Sequence, residues 1–131
     1  MLGRHGDNLF WMARYLERSE NLARRIQATL HYALSREDEG EEEWTALIMN
    51  HGLGPLFEEK YDDPTTIDII NFLLRDRDNF DSVASLMSKA RNNGRSVRTS
   101  LTREVWLSLN ESWMKCESDL KRPVNIRDLP V

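Results

Sequence analysis

Residues 8–34, NLFWMARYLERSENLARRIQATLHYAL, constrain the fold more than any other stretch of this chain. Leu9, Met12, Leu16, Ser19, Ala23, Ile26, Leu30 and Ala33 recur at alternating spacings of three and four. That period places them in one stripe of a helix of about seven turns, with a face to bury along its whole length. Trp11, Tyr15 and Leu22 add a second apolar edge, so the helix is expected to touch more than one neighbour. Asp7 is a candidate N-cap, with an alternative start one turn earlier near Arg4.

The remaining chain is read against this helix. Six acids in the seven positions from Glu37 to Glu43 predict a solvated connection leading into a short helix, whose N-terminal dipole favours carboxylates. Trp44, Leu47 and Ile48 form its apolar face, and Gly52 with Gly54-Pro55 ends it. Leu56, Phe57 and Tyr61 fall in an irregular or one-turn segment expected to cap the core. Asp63 and Pro64 mark a helix start, followed by Ile67, Ile70, Phe72, Leu73 and Leu74 over a wide apolar arc. Asn79 is a cap candidate for a helix over Phe80 to Thr99, with Val83, Met87, Ala90, Gly94, Val97 and Leu101 in its stripe. Gly94 lies on that stripe, where close helix approach is the physical reason to tolerate glycine. Thr102 caps a final helix carrying Val105, Leu109, Trp113, Cys116 and Leu120.

These elements predict an all-α fold, a helical bundle of three long and two shorter helices with no sheet. Residues 1–121 are expected to form one domain and residues 122–131 an extended or disordered tail. A length of 131 residues suits a single core. The net charge of −4 argues against nonspecific nucleic-acid binding, which needs a surplus of Lys and Arg. The lone Cys116 excludes an internal disulfide, and no run reaches the roughly 18 apolar residues of a spanning helix. These features predict a cytoplasmic protein without a membrane role.

Little in the chain resembles a catalytic or metal site. His5, His31 and His51 have no His or carboxylate three or four residues onward, so no helical metal face forms around them. Asp76, Asp78 and Asp81 mimic the start of a calcium loop but lack its glycine and its distal glutamate. No phosphate-cradling loop or nucleophile elbow is present, and Cys116 sits on an apolar stripe. The expectation is therefore no catalytic residue, no metal and no cofactor.

The remaining constellation is ionic. Arg14, Glu17, Asn21 and Arg24 share one face of the first helix, Arg18 and Arg25 line the adjacent face, and Glu20 is within reach of Arg24. Arg75, Asp76, Arg77 and Asp78 alternate in sign before Asn79, and Arg91, Arg95 and Arg98 align on a later helix. One reading is a structural network in which Glu17 bridges arginines of its own and neighbouring helices, so that Glu17→Gln lowers the melting temperature. The other is a binding or catalytic patch, with Glu17, Arg18 and Arg91 acting on a carboxylate or phosphate.

Three ordered blocks carry a family resemblance: Met1-Leu2 with Asn8 to Asn21; Phe72 to Asn79 with Ser82, Ala90-Arg91, Asn93 and Arg95 to Arg98; and Glu104 to Asn110. Together they resemble the bacterial Alpha-E family, named for predicted helices with a Glu-Arg motif, here Glu17-Arg18. Gly3 stands where that family favours Ser, and Phe80 where it favours Pro. The chain is also shorter than the usual family domain, which implies an uncovered apolar helix face and a homo-oligomer. The resemblance implies a helical fold and an association with ATP-grasp ligase-like, transglutaminase-like and N-terminal-nucleophile hydrolase proteins in peptide synthesis or modification. The functional expectation is a non-enzymatic interaction module with an ATP-grasp or transglutaminase-like partner.

Overall fold

The structure, a computed structural model, describes residues 2–34, 41–62 and 65–122. Six α-helices follow in order: α1 (Leu2–Leu34), α2 (Glu41–Asn50), α3 (Gly54–Lys60), α4 (Thr66–Leu74), α5 (Val83–Ser96) and α6 (Arg103–Asp119), with a 3-10 turn at Arg98–Ser100 before α6. No strand occurs among the described residues, so the all-α reading holds. Three helices are long, but the short ones number three rather than two. The extra one is α3, where an irregular or one-turn segment was expected: Pro55 presets the backbone of its first turn, and buried Phe57 anchors its face. The tail beyond Arg122 and most of the acidic connection, residues 35–40, lie outside the described residues.

α1 is the spine, and its two halves have different neighbours. Toward its C-terminal end Leu22, Ile26 and Leu30 enter a core completed by Trp44, Leu47 and Ile48 of α2, Leu53 before α3, Phe57 of α3, Ile70, Phe72 and Leu73 of α4, and Val83 and Leu86 in the first turn of α5. Phe57, Tyr61 and Phe72 meet ring against ring, with centroids 5.0 to 6.2 Å apart. Leu22 belongs to this core and is fully buried, whereas Trp11 of the same predicted edge is exposed.

The N-terminal half of α1 runs antiparallel to α5, which runs antiparallel to α6. The registers show it: Ser19 donates its hydroxyl to the Val83 carbonyl at 3.4 Å, while Gly94, eleven residues on, faces Met12 and Leu109. A Cβ at Gly94 would lie 2.5 Å from Leu109 Cδ2 and 3.1 Å from Met12 Sδ. The glycine therefore marks where three helices converge, as its place on the stripe implied.

Local signals explain most boundaries. Gly52 adopts φ +69° after α2, with Gly52 N–H donating to Met49 O and Leu53 N–H to Ile48 O, the paired bonds of a Schellman turn. Thr65 and Asp68 form a reciprocal capping box at α4, and Thr102 caps α6 by accepting from Val105 N–H. Asp63 and Pro64, the expected start signals of α4, lie outside the described residues. The start of α5 departs from expectation, because Ser82 and not Asn79 is its cap. Asn79 is fully buried and otherwise engaged: its Nδ2 donates to Phe72 O and its Oδ1 accepts from Asp81 N–H. That ties the turn to the end of α4 and postpones the helix by three residues.

Candidate functional site

The ionic residues singled out by their spacing do not converge into one patch. On α1, Arg14 and Glu17 pair at 3.7 Å and Glu20 and Arg24 at 2.6 Å, all four exposed, and Asn21 is exposed beside them. Such surface pairs contribute roughly 0 to 1 kcal/mol each. Glu17 keeps 72% of its side chain in solvent and its described ion partner lies on its own helix, so among the described residues it does not bridge helices. Arg18 behaves differently. Its Nη2 donates to Asp81 Oδ1 at 2.7 Å, joining α1 to the segment that feeds α5, with both side chains about a third exposed.

Asp81 belongs to the junction between α4 and α5, residues 75–82, which is the densest polar knot among the described residues. Arg75 donates from Nε and Nη2 to the carbonyl oxygens of Leu120 and Lys121, closing the C-terminus of α6. Asp76 and Asp78 both accept from Lys60 at the end of α3, and Asp76 also accepts from the Asp78 N–H. Arg77 bonds Glu117 of α6 and Ser88 of α5, and Ser88 in turn receives the Trp113 indole N–H and donates to Glu117. One eight-residue turn thus ties α1, α3, α5 and α6 together. Asp76, Asp78 and Asp81, which look like a calcium loop in one dimension, instead take ammonium and guanidinium partners. No group of three or more His, Cys, Asp or Glu among the described residues is placed to hold a metal ion.

The later arginines serve a third environment. Arg91 lies over the Trp113 ring at 4.4 Å and hydrogen-bonds Asn110, and Arg98 lies 5.8 Å from the Trp106 ring. Arg95 is exposed. Among the described residues no hydrogen bond or ion pair joins Glu17, Arg18 and Arg91, the set a catalytic patch would require. Sequence spacing missed Lys60, Asp81, Ser88, Trp113 and Glu117, because they meet their partners only across helices. Asp81 carried a faint signal in its place beside the alternating charges.

Two cavities flank Arg75 and Arg77. One of about 490 Å³ is lined by these two with Glu117, Ser118, Leu120 and Lys121, and the other, about 220 Å³, by the same two with Lys60, Tyr61, Asn71 and Asp76. Burial, reinforced by Asp76, pushes the Tyr61 phenol up, so it remains a hydroxyl donor at neutral pH. The bonds to Asp76 hold the Lys60 ammonium above its usual range. A third cavity, about 350 Å³, is an apolar groove between Met12 and Leu16 of α1 and Val105 and Leu109 of α6.

His51 ends near the Arg18–Asp81 pair. Burial first, then the charges of Arg25 and Arg18, hold its pKa below the usual value, and its buried Nε2 has no hydrogen-bond partner among the described residues. Burial likewise raises the Cys116 thiol and keeps it protonated, the condition of a packed side chain and not of a nucleophile. No helix among the described residues is long and apolar enough to cross a membrane.

Comparison with known proteins adds one result. Residues 1–128 match Alpha-E, described as a predicted alpha-helical domain with a conserved ER motif. No curated protein and no solved structure matches the chain. The matched region takes in α1 with Glu17-Arg18, the polar junction and α6, and the chain belongs to the Alpha-E family.

Proposed function

We propose that this chain is a non-enzymatic helical interaction module of a bacterial peptide-synthesis or peptide-modification system, docking an ATP-grasp ligase-like or transglutaminase-like protein. One observation carries the reading, the division of labour around α1. Arg18 is engaged in fastening helices, while large rings remain in solvent on the same helix and the adjoining turn. Phe10 is 59%, Trp11 44% and Phe80 69% exposed. Phe10 and Trp11 meet edge to face at 5.3 Å, Trp11 reaches Tyr15 at 5.6 Å, and Lys89 lies over both Tyr15 and Phe80. Aromatic rings, Trp and Tyr above all, are among the residue types that dominate binding energy at protein interfaces. The family's association with ligase-like and transglutaminase-like proteins supplies the class of partner.

The test is affinity recovery of the intact chain from its native host. An ATP-grasp or transglutaminase-like protein should co-purify, and Trp11→Ser with Phe80→Ser should abolish recovery without changing the melting temperature by more than a few degrees. Recovery of neither class would overturn the reading. Self-association belongs to the same proposal: Val105 of α6 is exposed in the α1–α6 groove, and Leu107 and Met114 are exposed on another face of the same helix. Sedimentation velocity should then show mass rising with concentration, and a constant monomer would remove that part.

A further inference from the structure

The polar junction does more than close helices, because its charges are unequally matched. Lys60 is met by Asp76 and Asp78, Arg77 by Glu117, and Arg18 by Asp81. Arg75 alone among these cations has neutral described partners, the carbonyl oxygens of Leu120 and Lys121. The C-terminal dipole of α6 offsets about half a charge there. What remains is a half-buried guanidinium held rigidly by two bonds, with five N–H donors in total, forming a wall common to both polar cavities. Lys121 lines the larger cavity together with Glu117, which Arg77 neutralises, and Lys60 and Tyr61 line the smaller together with Asp76, which Lys60 neutralises.

We infer that this junction is a binding site for a small oxyanion group, a carboxylate or a phosphate, seated against Arg75 in the cavities that Lys121 and Tyr61 line. A planar guanidinium fixed from one side presents its other N–H groups in the fork that such groups accept. The rigidity matters, since an arginine already ordered by the fold loses little further freedom on binding. The two cavities are large enough for the oxyanion and several more atoms of the molecule that bears it. The site is separate from the exposed aromatic face of α1, so each stands or falls alone.

The experiment titrates the full chain at low ionic strength with inorganic phosphate and, separately, with sodium acetate, following the Arg75 Nε–H and the backbone amides by NMR, with sodium chloride as the ionic control. One or both probes should give saturable shifts confined to the surroundings of Lys60, Tyr61, Arg75, Arg77 and Lys121, with dissociation constants on the order of 1 to 10 mM. Saturation by phosphate alone identifies a phosphate-bearing ligand, and by acetate alone a carboxylate. Arg75→Lys keeps the charge and removes the fork, and should weaken binding about tenfold. Because Arg75 also closes α6, Lys121→Ala and Tyr61→Phe provide the independent arm. Neither removes a backbone carbonyl or a packed ring, and each should weaken binding several-fold in a fully folded chain. Absence of saturation up to about 100 mM of either probe, shifts reproduced by chloride, or affinities unchanged in Lys121→Ala and Tyr61→Phe would overturn the site.

Discussion

The two halves of α1 belong to the same helix and obey the same period, yet they are held by different physics. From Leu22 to Leu30 the helix enters an apolar core, where Trp44, Phe72 and Leu73 are sealed from solvent. From Leu9 to Ser19 it lies on α5, and the α5–α6 layer beyond contributes one buried residue from all of α6, Leu109. That second region has a seam of smaller buried side chains, Ala84, Ala90 and Val97 with Leu109, and adds polar and ring contacts to it: Arg18 to Asp81, Ser19 to Val83, Arg77 to Glu117 and Arg91 on Trp113. Burial gives the first region non-directional stability. Directional contacts give the second its register but less free energy, since each exposed pair contributes little.

The comparison breaks first at the apolar end. Phe72→Ala removes a fully buried ring in contact with Phe57 and Tyr61, and should cost about 3 to 5 kcal/mol in urea unfolding. A loss below about 1 kcal/mol would mean that the core is not centred there. At the junction of the long helices, Gly94→Val should cost about 1 to 3 kcal/mol by driving α5 from Leu109 and Met12. Gly94→Ala should be close to neutral. The Leu109 and Met12 atoms it meets are the ends of flexible side chains, and the gain in helix propensity, about 1 kcal/mol, offsets their displacement.

Smaller effects sharpen the polar side. A double-mutant cycle of Arg18→Met and Asp81→Asn should give a coupling of about 1 kcal/mol, reduced from a buried value because a third of each side chain is exposed. Glu17→Gln should change stability by no more than about 0.5 kcal/mol, reversing what spacing alone suggests. A clear drop in melting temperature for Glu17→Gln would restore Glu17 to a structural role. His51 sets the sign of a modest pH effect. Its folded pKa lies below 6.5, so the unfolded chain binds its proton first. Stability should therefore fall as pH falls through 6.5 toward the folded value, and His51→Gln should flatten that part of the profile.

Helix positions were legible wherever apolar residues repeat at three and four, as in Leu22, Ile26 and Leu30, and wherever a cap sits before them, as at Thr102. Gly94 was legible as a close approach because a glycine on a packed stripe has few other reasons to be there. Asn79 was misread as a cap because its side chain reaches back to Phe72 O, a bond set by how α4 ends and not by any local pattern. The ionic residues were visible as a group, but their grouping was not. Arg14 and Arg18 lie one turn apart on adjacent faces, and among the described residues only Arg18 of the two finds a carboxylate on another element.

Period, caps and turn glycines therefore determined that this chain is all-α, with α1 as its spine and Glu17-Arg18 on it, because those features act within a few residues of one another. Tertiary structure alone decided that the two motif residues part company, Glu17 to solvent and Arg18 to Asp81, and that Arg75 closes α6 while facing two cavities. Those outcomes depend on contacts between residues 45 or more positions apart. The direction a long charged side chain takes is set by whichever partner packing brings within reach, and no local spacing encodes it.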